Sequence, residues 1–134
     1  MAAGVHHIEI WVVDLDSARH SWGWLLVALG WSVDQVWSTG ISWRCGEVYI
    51  VVTRPPAISG QEHDRRLPGL NHIALHGGTT ADIDRIVGQA SAHGWNALYG
   101  DRYPYAGGPD HYAAYLENEA GFKVEVVAST PRSG

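Results

Sequence analysis

The chain has 134 residues, 46% hydrophobic and 17% charged, with nine Lys and Arg against fourteen Asp and Glu for a formal charge of −5. One domain of this length can bury a sizeable core, and an acidic balance speaks against a nucleic-acid partner, which normally meets a basic face. No apolar run, "WGWLLVALGW" included, reaches the length that crosses a bilayer, so no membrane partner is expected.

The opening "MAAGVHH" lacks a charged stretch ahead of an apolar block, so no secretory leader is read and a cytoplasmic address is expected. Residues 6–13 alternate His7, Glu9 and Trp11 against Ile8, Ile10 and Val12, the period of two that makes a strand. Asp14, Asp16 and Ser17 then offer N-cap oxygens, and Ala18, Trp22, Leu25, Leu26 and Leu29 recur at helical spacing up to Gly30. Strands follow at 32–38, 41–44 and 47–53, with "RCGE" as a tight turn. Cys45 is the single cysteine and reads as a small buried hydrophobe. Six of the seven tryptophans (Trp11, Trp22, Trp24, Trp31, Trp37 and Trp43) fall in this half. Core packing and an aromatic-lined cavity are both open explanations.

Residues 55–69, rich in proline, glycine and charge, read as a connector. The pattern then starts again. "HIEIWVVDLDSARHSWGWLLVALGW" (7–31) and "HIALHGGTTADIDRIVGQASAHGW" (72–95) both begin His-Ile, alternate as a strand, continue as a helix and finish on Gly-Trp. In the second copy Thr79 or Thr80 caps the helix and Gly94 ends it, with strands at 96–101, 111–117 and 122–128. The unit is βαβββ, used twice: 5–54, a connector, and 70–129, within one expected domain spanning 1–134. The fold class is α+β.

In the strand at 71–76, His72, Ala74 and His76 share one face and Ile73 and Leu75 the other. A helix covering the apolar face leaves His72 on the opposite side of the sheet, and the same reasoning places His7. A lone strand histidine is ordinarily a hydrogen-bonded structural residue, but two at corresponding positions of a duplication can hold a metal ion. Glu125, set among Phe122, Val124, Val126 and Val127, suggests a third ligand, because a carboxylate in an apolar strand is costly unless paired, protonated or bound to a cation.

"HHIEIWVVDLDSA", "LNHIALH" and the closing "YLENEAGFKVEVV" resemble the vicinal oxygen chelate superfamily. Its branches include glyoxalases, extradiol dioxygenases, fosfomycin-modifying enzymes and bleomycin-binding resistance proteins. The resemblance covers about 5–129 and implies paired βαβββ modules around a sheet cup, with His7, His72 and Glu125 as metal positions. One departure stands out. Superposing "GEVYIVV" on "GFKVEVV" puts Ile50 where a glyoxalase supplies its first-module glutamate; Glu47 falls on the other face, and Glu9, beside His7, is the alternative acid. Two histidines and one carboxylate resemble the extradiol branch and its facial triad. That set implies a divalent ion (Fe, Zn, Ni, Mn or Co) acting on a small vicinal-oxygen substrate, as a lyase or isomerase or as a ring-opening dioxygenase. The alternative is a non-catalytic resistance protein of the bleomycin type that sequesters an aromatic drug or metabolite.

In "HYAAYLENE", His111 and Tyr115 are four apart on the expected strand. His111 is the candidate general acid or base, against a plain loop-edge histidine, and Tyr115 the candidate hydrogen-bond donor. The segment 101–110 reads as a shaped loop at the cavity mouth rather than a surface turn. Arg65 and Arg66 are open to an anionic substrate or to solvent. The modules can pair within one chain or between the two chains of a homodimer.

Overall fold

The computed structural model describes residues 3–60 and 62–129; positions 1–2, 61 and 130–134 of the expected 1–134 domain lie outside the described residues. The fold is α+β and contains the βαβββ module twice. The chain divides into two compact units between Glu62 and His63, inside the expected connector.

The first unit runs β1 (His7–Trp11), α1 (Leu15–Ala28), β2 (Ser32–Trp37), β3 (Gly40–Cys45) and β4 (Val48–Thr53), and its sheet order is β1-β4-β3-β2 with β1 parallel to β4. Asp14 is the N-cap of α1, its carboxylate accepting the Ser17 amide at 3.0 Å. Gly30, at φ +92°, turns the chain out of the helix. Register places Ile8, Ile10, Ile41, Trp43, Ile50 and Val52 on one face of the sheet. The side of α1 that carries Trp22, Leu25 and Leu26 is buried, and a Cβ at Gly23 would stand 3.3 Å from the Trp43 ring. Trimming Leu25 to alanine in this core costs about 2–5 kcal/mol.

The second unit repeats the plan with β5 (His72–Gly78), α2 (Thr80–Ala90), a short 3₁₀ turn (Ser91–His93), β6 (Trp95–Leu98), β7 (Ala113–Asn118) and β8 (Lys123–Ala128), in the order β5-β8-β7-β6 with β5 parallel to β8. Thr79 and Asp82 form a reciprocal capping box on α2. Ile83, Ile86 and Ala90 are buried on the helix, as are Ile73, Leu75, Leu116, Val124 and Val126 on the sheet. Gly77 lets the two layers approach, since a Cβ there would lie 2.4 Å from both Ile83 and Val126. At the β7–β8 turn Asn118 Oδ1 accepts the amides of Ala120 (3.1 Å) and Phe122 (3.0 Å), and Gly121 takes φ +86°. This turn sets the register that seats Glu125 opposite Tyr115.

Four local expectations change. The first strand stops at Trp11, and the strand expected over 96–101 ends at Leu98, ahead of Tyr99 at φ +57°. The strand expected from 111 begins at Ala113, leaving His111 in the preceding loop. Cys45 is exposed, because it ends β3 where the hairpin turns over Gly46 (φ +59°) and neither sheet face continues past it. Among the described residues no helix is long and apolar enough to cross a membrane.

Candidate functional site

Register defines the second face of the second sheet. His72 pairs with Lys123, Ala74 with Glu125, Tyr115 with Glu125 and Glu117 with Lys123. Cross-strand partners share a face, so His72, Lys123, Glu125, Tyr115 and Glu117 stand together, opposite the side packed on α2.

Glu125 is the hub. It is only 7% exposed, so its carboxylate needs partners, and three groups supply them. His72 Nε2 lies 3.2 Å from Oε1, His111 Nε2 bonds Oε2, and Tyr115, the cross-strand partner of Glu125, sets its phenol beside the same carboxylate. Burial, and then the Glu125 charge, raise the Tyr115 phenol above its ordinary pKa and keep it protonated as a donor.

The orientation of His72 follows from its neighbours. Asn71 Nδ2 donates to the Arg65 carbonyl at 3.0 Å, which turns Asn71 Oδ1 toward His72 Nδ1 at 2.8 Å. An amide oxygen only accepts, so the proton of a neutral imidazole sits on Nδ1 and the Nε2 lone pair faces a carboxylate. Two acceptors at 3.2 Å are attractive only with a proton or a metal cation between them. An imidazole held through its other nitrogen is the usual arrangement of a metal-ligating histidine, so His72 and Glu125 fit that role. Among the described residues, no group of three or more His, Cys, Asp or Glu is already arranged around a metal position; His111 engages Glu125 and not a common point.

The loop 99–112 closes over this face. Tyr103 and Tyr112 both donate to Asp84 Oδ1 on α2, the latter at 2.6 Å. Those bonds hold the Asp84 carboxyl below its ordinary pKa. Burial first, and the Asp84 bond second, push the Tyr103 phenol up. Between those two anchors, a Cβ on Gly107 would meet the Tyr115 hydroxyl oxygen at 2.6 Å and the His111 ring at 2.8 Å, so the loop backbone is seated on both side chains.

His7 belongs to the first unit. It is exposed, stacks on Tyr49 at 4.7 Å and 3°, and places Nδ1 2.8 Å from His6 Nδ1. Glu9, the alternative acid, accepts the Trp11 indole N–H at 2.6 Å. The position matching Glu125 is Val51 rather than Ile50: His7 pairs with Tyr49 as His72 pairs with Lys123, and Glu9 pairs with Val51 as Ala74 pairs with Glu125. The second module's closing turn is one residue longer, which shifts a superposition built on the glycine. Ile50 is fully buried and pairs with Ile8 on the helix-covered face. The first module still supplies no acid there.

A family model described as the glyoxalase/bleomycin resistance protein/dioxygenase superfamily matches residues 6–115. The chain belongs to this superfamily. A curated relative, the uncharacterized protein YqjT of Bacillus subtilis (strain 168), is 41% identical over 126 residues, covering 92% of this chain and 98% of the relative. A crystal structure from Bacillus halodurans, provisionally assigned as a glyoxalase, is 37% identical with TM-score 0.88, covering 95% of this chain and 96% of the other. A fosfomycin resistance protein from Listeria monocytogenes, in complex with Mn(II) and sulfate, shares the fold at 16% identity and TM-score 0.63, over 97% and 93% of the two chains.

Sequence reasoning did not reach Asn71, Gly107, Tyr99 or Lys123. Asn71 carries a signal in hindsight, a lone carboxamide directly before the strand histidine. The roles of the other three depend on loop path and cross-strand register. Arg65, read as open to substrate or solvent, is spent on Glu117, with Nε donating to Oε2 at 2.8 Å.

Proposed function

We propose that this superfamily member holds a divalent metal ion through His72 and Glu125, with His7 as the third ligand that the family resemblance implies, and acts on a small substrate with two adjacent oxygens. The supporting observation is the Asn71–His72–Glu125 alignment, in which an imidazole of fixed tautomer presents Nε2 to a buried carboxylate. Bound there, the ion would polarise the substrate oxygens and lower the pKa of a bound hydroxyl. The chain's own residues do the rest. His111, whose Nε2 is hydrogen-bonded to Glu125, is the group placed to take a substrate proton and return it. Tyr115, directly across the ladder from Glu125 and kept protonated by burial and the Glu125 charge, is the neighbouring donor. The reaction class is a lyase or isomerase step, or ring opening when the metal is Fe(II). The test is metal analysis of protein purified without chelator, then reconstitution of the wild type and of His72→Ala. The proposal expects about one equivalent in the wild type and a loss of at least tenfold in affinity in the variant. Less than about a tenth of an equivalent, with no gain on reconstitution, overturns it.

A second reading, sequestration of a planar aromatic compound, has its own observation. Trp11, Thr53, Gly40 and Trp37 form one row across the first sheet, on the face of His7. Trp11 is 44% and Trp37 36% exposed. Fluorescence quenching by planar aromatics that survives both EDTA and His72→Ala favours this reading, and quenching lost with the metal counts against it.

A further inference from the structure

We propose that Lys123 and Tyr99 form a carboxylate-binding subsite beside His72 and Glu125, which narrows the substrate class to vicinal-oxygen compounds that also carry a carboxylate. The substrate class rests on the reading above; the subsite itself does not.

Lys123 is the cross-strand neighbour of His72 and stands two residues from Glu125 on the same face of β8. Its ammonium donates to the Tyr99 hydroxyl at 2.9 Å and lies 5.0 Å from the centre of the Tyr99 ring and 5.2 Å from that of Tyr115. One neutral phenol oxygen and the neighbouring Tyr115 ring, with no carboxylate, therefore hold a full positive charge. The carboxylates that could neutralise it are engaged elsewhere. Glu117, directly across the ladder, accepts from Arg65 at 2.8 Å, and Glu125 is taken by His72 and His111. Among the described residues no carboxylate forms an ion pair with Lys123.

Tyr99 is positioned for this task at some cost to the backbone. It sits at φ +57°, the single described non-glycine residue with positive φ, a conformation that bulky L-residues rarely adopt outside functional sites. Because the Lys123 ammonium donates into its oxygen, its own O–H points away as a second donor. The Lys123 bond, first among several cationic neighbours that include Arg65 and Arg102, lowers the Tyr99 pKa and strengthens that donor. The Arg102 guanidinium lies 5.0 Å from the ring centre.

One ammonium N–H and one phenol O–H match the two oxygens of a single monoanionic carboxylate. A phosphate would bring a second charge, and Arg65 is already committed to Glu117. Two residues along a strand span about 6.6 Å, roughly the width of one six-membered ring. A ligand with vicinal oxygens at His72 and Glu125 can therefore reach Lys123 with a carboxylate on the far side of its ring.

The test uses the full chain stripped of metal and calorimetric titration with benzoate, its neutral analogue benzamide, and inorganic phosphate. Benzoate has no diol, so its binding does not depend on the metal reading. The subsite predicts that benzoate binds at least about tenfold more tightly than benzamide, and that Lys123→Met removes this advantage. Tyr99→Phe should weaken benzoate about threefold or more, while Lys123→Arg retains the preference. Equal binding of benzoate and benzamide overturns the proposal. So does undiminished benzoate binding in Tyr99→Phe, a variant that settles the matter if Lys123→Met fails to fold. Phosphate binding as tightly as benzoate also overturns it, in favour of a general anion point. Wild-type protein that binds metal but shows no benzoate preference sinks this subsite alone; benzoate preference without metal binding sinks the metal reading alone.

Discussion

Replacing Gly107 by alanine adds one methyl group at the place where the loop 99–112 rests on the site. The new Cβ would stand 2.6 Å from the Tyr115 hydroxyl oxygen and 2.8 Å from the His111 ring, against 3.4 Å for an ordinary contact. The hydroxyl must retreat by about 0.8 Å, yet it cannot swing freely, because His111 is bound to Glu125 and the Tyr115 ring is flanked by His72 and Tyr99. Either the loop lifts or the His111 bond to Glu125 stretches. Overpacking of this kind costs about 1–3 kcal/mol, and loosening the groups that orient a metal ligand lowers affinity by about tenfold or more. Urea unfolding of Gly107→Ala measures the first effect and a Co(II) titration the second. Gly88→Ala is the control: Gly88 lies in α2 with nothing within 4 Å of the added Cβ, so that change should stabilise by about 0.5–1 kcal/mol. Wild-type stability and metal affinity in Gly107→Ala would refute the claim that this loop is seated on Tyr115 and His111.

Other predictions follow from single contacts. Asn71→Leu removes the acceptor that fixes the His72 tautomer, so metal affinity should fall about 10- to 100-fold with little change in thermal unfolding, and Asn71→Asp should restore much of it. Asp84 has a folded pKa below its unfolded value of 3.8. Its contribution is therefore complete above about pH 4 and lost as pH falls through the lowered folded value; near-UV circular dichroism of Tyr103 and Tyr112 should report loop release in that acid window, and Asp84→Asn should remove the transition. Tyr103 and Tyr112 have raised phenol pKa values, so absorbance titration at alkaline pH should show them ionising after ordinary tyrosines, and Asp84→Ala should bring both down.

Most of the architecture was legible in the sequence because it is written in periodicity. The alternation of His7–Trp11 and the helical stripe from Ala18 to Leu26 each bury one face, and the same pair of patterns recurs from His72. Glu125 was legible for a related reason, as a charge in an apolar strand that had to be answered. What answered it was less visible. His111 reaches Glu125 from a loop rather than from a strand, and loop paths leave no periodic trace. Ile50 stood in for Val51 because one extra residue in a hairpin turn moves every later position to the other face. The tryptophan load divided by face, and core packing accounts for part of it. Trp22, Trp43 and Trp95 are core, Trp24 and Trp31 are half-buried, and Trp11 and Trp37 stay exposed on the His7 face. Composition counts residues but does not assign faces.

The most direct test of the central claim is ¹⁵N NMR of the histidine side chains during titration with Zn(II). The account predicts that His72 keeps its proton on Nδ1, bonded to Asn71, while its Nε2 resonance shifts on metal addition, and that Glu125→Ala abolishes the shift. A His72 imidazole protonated on Nε2 and indifferent to the metal would contradict it.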